Sequence, residues 1–180
     1  MFRLIGSKSL RSRRLIDLFE SLPTDRRSEL LATALQQEDS PFARAAAIEA
    51  LSRSGDYSFV GEMEDLVRDP SPEVAAGALR ALGRSAHPAA AETVLASLEN
   101  PDWEVRREAA EAAGRIGIPA AVETLTSLLG DSEWAVRYAA GNALKEIGAS
   151  GMEALQRTAK EEASRGQRTA SLILSEGLTA

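Results

Sequence analysis

Few residues of this sequence could perform chemistry. His87 is the one histidine, and cysteine is absent from the sequence. A thiolate zinc site, an iron–sulfur cluster, a cysteine nucleophile and a disulfide framework are therefore excluded. A serine triad would have to use His87, which stands in a Ser-Ala-His-Pro turn, and a general base needs a positioned partner and a pocket. We predict that the protein is not an enzyme and that it has no catalytic residue, no cofactor and no metal site.

The charge of the chain is distributed unevenly. The 180 residues carry a formal net charge of −6. Residues 1–14 hold five basic side chains and no acidic one, whereas residues 38–180 hold 14 basic and 23 acidic side chains. The acidic body argues against nucleic acid as a partner, because DNA binding requires a basic track along the phosphates.

The basic N-terminal segment has three interpretations. It could be a solvated helix start, a contact with an anionic membrane surface, or a contact with nucleic acid. Leu4, Ile5 and Leu10 stand beside the basic residues, as a membrane contact requires. The residues that would touch the membrane are Arg3, Lys8, Arg11, Arg13 and Arg14.

The location of the protein is predicted from what the sequence does not contain. No apolar run approaches the roughly 18 residues that a transmembrane helix needs. Basic polar residues follow Met1–Gly6, where a secretory signal would have its apolar core. We expect a cytoplasmic protein, with the cytoplasmic face of a membrane as the alternative.

Internal repetition is the clearest pattern in the chain. Four segments align without gaps at a spacing of 31 residues, and two of the aligned columns hold alanine in all four. Such a period indicates a repeat architecture. The segments are PFARAAAIEALSRSG from Pro41, PEVAAGALRALGRSA from Pro72, WEVRREAAEAAGRIG from Trp103 and WAVRYAAGNALKEIG from Trp134.

Each segment predicts one helix, because its apolar residues recur at intervals of three and four. Gly55, Gly117 and Gly148 stand where left-handed caps would end these helices. Gly77 and Gly141 lie inside two of them, and we expect close helix contact to explain why they are tolerated. A second, shorter amphipathic helix follows in each unit, so that the repeat is a helical hairpin.

The repeats define the expected domain organisation. We predict one array over residues 1–180, whose ends are weaker copies of the repeat because terminal units face water on one side. Residues 1–38 would form the basic segment and a capping helix pair. Residues 39–148 would form the core repeats, and residues 149–180 the last helix and a C-terminal cap.

The segments that begin at Pro72, Trp103 and Trp134 resemble the HEAT-like repeats of phycobilin lyases. The resemblance implies an all-α, right-handed α-solenoid of about five helical hairpins, comparable to armadillo-like arrays. It places the first helices on the convex face and the second helices on the concave face. Such arrays bind partners on extended concave surfaces.

The predicted concave face follows from helix geometry at 100° per residue. Opposite the apolar stripes of the second helices lie mostly acidic and hydroxyl side chains. This strip is either a groove for a basic segment of a partner or a solvated helix face. Its residues are Glu62, Asp65, Glu92, Thr93, Glu123, Thr124, Ser127, Glu153 and Arg157.

A second candidate surface is aromatic. Trp103 and Trp134 lie one repeat apart, and Tyr138 follows Trp134 by one helical turn. We expect the tryptophans to stack at the edge of the array, either as a partner hot spot or as a cover for the core.

A column of arginines completes the candidates. Arg44, Arg106 and Arg137 occupy one position near the start of the first helices. We expect each arginine to pair with an acid of a neighbouring turn, and Asp102, Asp131 and Glu133 are available.

Three functions remain open. The repeat and the missing chemistry favour a non-catalytic scaffold that binds another protein, whose identity is unknown, through its concave face. The resemblance alone implies the second function, a phycobilin lyase or its chaperone-like subunit. The third is a membrane-associated assembly factor that uses the basic N-terminus.

Overall fold

A computed structural model describes residues 60–161 and 164–176, together with the single positions Ser21, Arg26, Glu29, Thr33, Arg44 and Ile48. Across the two described ranges the chain forms eight α-helices and no strand. The prediction of an all-α solenoid is confirmed. The helices are α1 (Val60–Leu66), α2 (Pro72–Ser85), α3 (Ala91–Ser97), α4 (Trp103–Ile116), α5 (Val122–Leu128), α6 (Trp134–Ile147), α7 (Ala149–Thr158) and α8 (Arg165–Glu176).

Long and short helices alternate, as the repeat predicts. The first helices of three consecutive repeats, α2, α4 and α6, have 14 residues each. Pro88 and Pro119 do not open α3 and α5 themselves. They instead open the short 3-10 helices Pro88–Ala90 and Pro119–Ala121, which lead directly into those α-helices. The fixed φ of proline suits the first position of either helix type.

The chain divides into two compact units, residues 1–85 and residues 86–180. In the first unit α1 packs against α2. Ile48, Met63, Leu79 and Leu82 are all buried there. Burial of these side chains supplies the hydrophobic stabilisation of the unit. That the two units continue one array stays a prediction.

The second unit contains the helices that position both candidate surfaces. The longer helices α4 and α6 pack side by side, α3 packs on α4, and α5 and α7 pack on α6. The terminal helix α8 covers α6 and α7. Four leucines of this unit are fully buried, namely Leu98 at the end of α3, Leu125 of α5, Leu144 of α6 and Leu155 of α7.

Small residues allow these helices to approach closely. A Cβ atom added at Gly141 of α6 would lie 2.5 Å from Cγ1 of Ile173 in α8, so the prediction of close contact is confirmed there. A Cβ at Gly77 would meet Ile48 at an ordinary 3.7 Å. The helices α4 and α6 also approach closely at Gly114, whose added Cβ would lie 2.8 Å from Cα of Ala143.

The helix ends follow the sequence in most places. Asp102 caps α4 by accepting the backbone N–H of Glu104, and Gly117 ends α4 in the left-handed conformation, as predicted. The expectation for Gly148 is wrong. Its φ of +96° and ψ of −136° lie outside the left-handed helical region, because α7 begins at the next residue and Gly148 joins two helices. Gly55 lies outside the described residues.

Candidate functional site

The first candidate surface is the exposed side of α3, α5 and α7, which we call the acidic face. Each helix turns its apolar stripe inward, with Val94 and Leu125 completely buried. Each exposes a glutamate at the equivalent position, namely Glu92, Glu123 and Glu153. The spacing of these glutamates is 31 and then 30 residues, because the sequence from Ile147 to Leu155 is one residue shorter than the matching sequence from Ile116 to Leu125.

Hydroxyl and basic side chains flank these glutamates. Thr93 and Thr124 are half-buried beside them, whereas Ser127 is exposed. The Ser127 hydroxyl donates to the carbonyl oxygen of Glu123 over 3.4 Å. Arg157 is exposed in the last turn of α7. In this unit the structure therefore exposes the three predicted carboxylates on successive second helices.

The acidic residues predicted in the first unit belong to α1. Glu62 and Asp65 are both exposed, and Asp65 forms a solvent-exposed ion pair with Arg68 at 3.7 Å. An exposed pair of this kind contributes at most about 1 kcal/mol to folding, so Asp65 remains accessible to other cations.

The acidic face can do one kind of chemistry. The first turns of α3 and α5 contain Glu92 and Glu123, where the helix dipole favours a negative charge. Exposed, ionised carboxylates accept hydrogen bonds and attract lysine and arginine. The described residues contain no group of three or more His, Cys, Asp or Glu side chains that could hold a metal ion.

The arginine column is structural. Arg44 and Arg106 each pair with an acid, as predicted, whereas Arg137 bonds backbone carbonyl oxygens instead of an acid side chain. Arg106 makes a two-point contact with Asp131, with Nε–Oδ2 and Nη2–Oδ1 distances of 2.9 and 3.1 Å. It also donates to the carbonyl oxygens of Asn100 and Pro101. Arg137 donates to the carbonyl oxygens of Asp131 and Ser132. These contacts therefore connect the turns between helices, and few guanidinium N–H donors remain for a ligand.

The environment of Asp131 lowers its pKa. Burial alone would raise the pKa of this carboxyl group. The hydrogen bonds from the Arg106 guanidinium and the backbone N–H of Glu133 oppose burial, together with the charge of Arg106 and a bond from the Ser132 hydroxyl. Because these favour the ionised form, the pKa of Asp131 lies below its usual value.

The same pairing occurs two repeats earlier and is absent from the repeat between. Arg44 contacts Asp69 with Nε–Oδ2 and Nη2–Oδ1 distances of 3.0 and 3.1 Å. In the repeat between these two pairs the arginine position is Ala75 and the acid position is Asn100. The repeat that lacks the arginine also lacks the acid. This is the arrangement expected if the function of the acid is to pair with the arginine.

The second candidate surface is a groove of about 660 Å³ between α4 and α6, which we call the aromatic groove. Its α4 wall is a ladder of ion pairs, in which Glu111 bonds Arg107 at 2.9 Å and Arg115 at 3.0 Å. The α6 wall carries Trp134 and Tyr138, which are 48% and 38% exposed. Lys145 and Glu146 line the groove further along α6, together with Asn142.

The aromatic rings of α6 are held in place despite their exposure. The Trp134 and Tyr138 ring centroids are 5.8 Å apart, and the Arg137 guanidinium lies 5.3 Å from the Trp134 ring centre. The Tyr138 hydroxyl is 3.3 Å from Oε2 of Glu176. The expected stacking of the two tryptophans is wrong for this part of the structure, because the ring beside Trp134 is Tyr138 and not Trp103.

Sequence reasoning did not anticipate the aromatic groove as a whole. Its α4 wall repeats positions of its α6 wall, since Arg107 and Glu111 stand 31 residues before Tyr138 and Asn142. These positions are four residues apart on one helix, so they form a ridge. Reading both ridges as neighbouring columns would have revealed the groove.

The remaining sequence candidates have simple outcomes. His87 is exposed, and its Nδ1 accepts the backbone N–H of Ala89 at 3.2 Å, so it caps a 3-10 helix. The residues proposed for membrane contact, Arg3, Lys8, Arg11, Arg13 and Arg14, lie outside the described residues. No helix among the described residues is long and apolar enough to cross a membrane.

The repeated hairpins and the exposed second-helix face define the class of α-solenoid repeat proteins. The family model for HEAT repeats matches residues 28–102, 60–145 and 91–174. The chain belongs to the HEAT-repeat family. No curated protein sequence matches it.

Solved structures with the same fold include natural and designed proteins. The complex of CpcE and CpcF of phycocyanin lyase from Nostoc sp. PCC7120 is 19% identical, with a TM-score of 0.66 over 94% of this chain and 72% of that chain. An engineered protein is 23% identical, with a TM-score of 0.60 over 97% and 93%. A designed armadillo repeat protein in complex with the peptide (KR)4 is 18% identical, with a TM-score of 0.54 over 97% and 96%.

Proposed function

We propose that the protein is a non-catalytic scaffold that binds a basic segment of another protein on its acidic face. The observation that carries the proposal is the exposure of Glu92, Glu123 and Glu153 at equivalent positions of three successive second helices. The designed armadillo neighbour is bound to a peptide of alternating lysine and arginine. A peptide of that chemistry is the complement of three exposed carboxylates.

The repeat also sets the spacing of the ligand. Packed helices lie about 8–10 Å apart. An extended peptide advances about 3.3 Å per residue, so three residues cover the distance from one helix to the next. The preferred segment therefore has a lysine or arginine at every third position, each facing one glutamate. Basic residues at other positions would add electrostatic attraction but would not fix which peptide residue faces which glutamate.

The experiment is a pull-down with charge-reversed variants. The wild-type chain should recover a specific protein from the source cell, and the variant Glu92→Lys/Glu123→Lys should release it. The control is Glu104→Lys/Glu133→Lys, which makes the same charge change at two exposed residues at the starts of α4 and α6. Binding retained by the first variant, or lost equally in both, would reject the acidic face.

A second function is favoured by the similarity to the CpcE–CpcF complex, which covers most of this chain. In this alternative the protein is a phycobilin lyase or a chaperone-like subunit of one, and it binds a linear tetrapyrrole or a phycobiliprotein. Incubation with a bilin followed by an absorbance scan separates the two functions. A shifted and sharpened bilin band would support the lyase alternative, and an unchanged spectrum would reject it.

A further inference from the structure

We propose that the segment bound by the acidic face is bipolar, with basic residues opposite α3 and α5 and acidic residues at the end that lies beside α7. The acidic residues would face three basic side chains, Arg157, Lys160 and Arg165, which we call the basic edge. This inference rests on the proposed scaffold function and adds the charge pattern of the partner. It is supported by the way in which charge changes from α3 to α7 at equivalent positions.

Three equivalent positions on each second helix show this change. The first position is the glutamate of the acidic face, the second lies one helical turn later, and the third lies in the turn that ends the helix. On α3 these positions hold two acids, on α5 one acid, and on α7 one acid and two bases. The residues are Glu92, Ala96 and Glu99 for α3, Glu123, Ser127 and Gly130 for α5, and Glu153, Arg157 and Lys160 for α7.

The three positions lie on one exposed side of each helix. Successive residues of an α-helix are rotated by about 100°, so residues four and seven positions apart lie within an arc of about 60°. All nine residues are exposed. The final turns are equivalent as well, because the N–H of Gly130 donates to the carbonyl oxygen of Ser127 and the N–H of Lys160 to that of Arg157. The change in charge is therefore a property of one continuous set of positions.

A third basic side chain lies at the same end of the second helices. Arg165 is exposed and is the first residue of α8. Its Nη1 donates to the carbonyl oxygens of Gly130 and Asp131 over 3.5 and 3.3 Å. Because Gly130 is the equivalent of Lys160 in the preceding hairpin, Arg165 extends the basic edge along the ends of these helices.

The side chains of the basic edge are available to a partner. None of them forms an ion pair with another residue of the described ranges. The helix dipole does not explain them, since it favours a cation at the end of every helix. The turn after α3 instead holds Glu99, and the turn after α5 holds Gly130. A surface that is acidic on one side and basic on the other complements a segment with the opposite order of charges.

The experiment compares four labelled peptides by fluorescence anisotropy below about 0.1 M salt, where charges are screened only beyond about 10 Å. Each peptide has three lysines at intervals of three residues. Two bipolar peptides carry a pair of glutamates, after the lysines in one and before them in the other, because side-chain charges do not fix the direction of the bound chain. A glutamine peptide replaces the glutamates after the lysines by glutamines. An interleaved peptide places the two glutamates between the lysines.

We expect the wild type to bind one of the bipolar peptides about three- to tenfold more tightly than the glutamine and interleaved peptides, which is the ratio that two exposed ion pairs can supply. The glutamine peptide has the larger positive charge, and the protein has a net charge of −6. Attraction between net charges alone therefore predicts the opposite order for the glutamine peptide. The interleaved peptide has the same composition as the bipolar peptides, so it controls for net charge.

Charge reversal of the basic edge should reverse the preference. In the variant Arg157→Glu/Lys160→Glu, the glutamine peptide should bind more tightly than either bipolar peptide, and its increased affinity would also show that the variant is folded. The matched control is Arg115→Glu/Lys145→Glu, which makes the same change in net charge in the last turns of the first helices α4 and α6. This control should keep the order of affinities of the wild type.

Two results would overturn the inference while the scaffold function stands. One is a glutamine peptide that binds the wild type as tightly as both bipolar peptides, and the other is an unchanged order of affinities in Arg157→Glu/Lys160→Glu. The scaffold function is then supported if Glu92→Lys/Glu123→Lys still weakens binding of the glutamine peptide. If none of the four peptides binds the wild type, the scaffold function and the inference are both overturned.

Discussion

Replacing Asp131 by Asn removes the charge opposite Arg106 and keeps the turn around it. The amide oxygen can still accept the backbone N–H of Glu133, as Asn100 accepts that of Asp102 in the preceding repeat. What is lost is the ionic part of a two-point contact whose side chains are only 15% and 8% exposed. Breaking a buried pair costs about 3–5 kcal/mol. Because Arg106 keeps two carbonyl acceptors, we expect about 2–3 kcal/mol for Asp131→Asn.

The assay is urea unfolding followed by circular dichroism, arranged as a double-mutant cycle. Arg106→Ala alone should also destabilise, because it leaves the Asp131 carboxylate half-paired. The double variant should cost less than the sum of the single variants by about 1–2 kcal/mol. It recreates the combination of Ala75 and Asn100 that the chain already contains. Additive costs would refute the view that the acid serves the arginine.

A matched substitution controls for the chemistry of the change. Asp102→Asn makes the same replacement at the residue that caps α4, and aspartate and asparagine cap equally well. We expect the unfolding free energy of this variant to lie within about 0.5 kcal/mol of the wild type. An equal loss for Asp102→Asn and Asp131→Asn would remove the ion pair from the explanation.

The pH dependence of the Asp131→Asn effect follows from the lowered pKa of Asp131. Its folded-state pKa lies below the ordinary value of 3.8, so the stability that it contributes is fully present above about pH 4. That contribution is lost as the pH falls through the folded-state pKa. The difference in unfolding free energy between wild type and Asp131→Asn should be constant from pH 5 to 8 and shrink below about pH 4. A difference that stays constant down to pH 3 would contradict the explanation based on the ionised Asp131 side chain.

Two further predictions concern backbone and packing. Gly141→Ala should destabilise the protein by about 1–3 kcal/mol, because its Cβ would overlap Ile173. Gly61→Ala has open space around it and should stabilise the protein by about 0.5–1 kcal/mol. Urea unfolding compares the two variants. Ala86 has a φ of +49°, so Ala86→Gly should stabilise by about 0.5–1 kcal/mol, and Ala120→Gly in a 3-10 helix should not. A loss of stability in Ala86→Gly would show that its backbone is not strained.

The fold could be predicted from the sequence because the repeat shows each helical pattern several times. The alanine columns and the three-and-four spacing predict α2, α4 and α6 directly. The position of Gly141 inside a helix predicted a close neighbour, and the structure supplies Ile173 in α8. Each of these features depends on local spacing within one repeat, which a single sequence contains.

The candidate surfaces were only partly readable. Helix geometry predicted the exposed glutamates, because one helix decides which of its residues face water. The aromatic groove depends on two helices lying side by side, so neither α4 nor α6 reveals it alone. The sequence alone did not decide which acid pairs with Arg106, because Asp102, Asp131 and Glu133 all stand in nearby turns. Arg106 pairs with Asp131 because the fold brings these two side chains together. The sequence indicates that proximity only through the repeat.

The most direct test of the scaffold function is a fluorescence anisotropy titration with a labelled peptide that has lysine at every third position. We expect Glu92→Lys/Glu123→Lys to weaken binding at least about tenfold, because each reversal replaces an attraction of up to about 1 kcal/mol with a repulsion. Glu104→Lys/Glu133→Lys, with the same net charge, should bind like the wild type. If both variants lose affinity equally, binding reflects net charge alone and the acidic face is not the site.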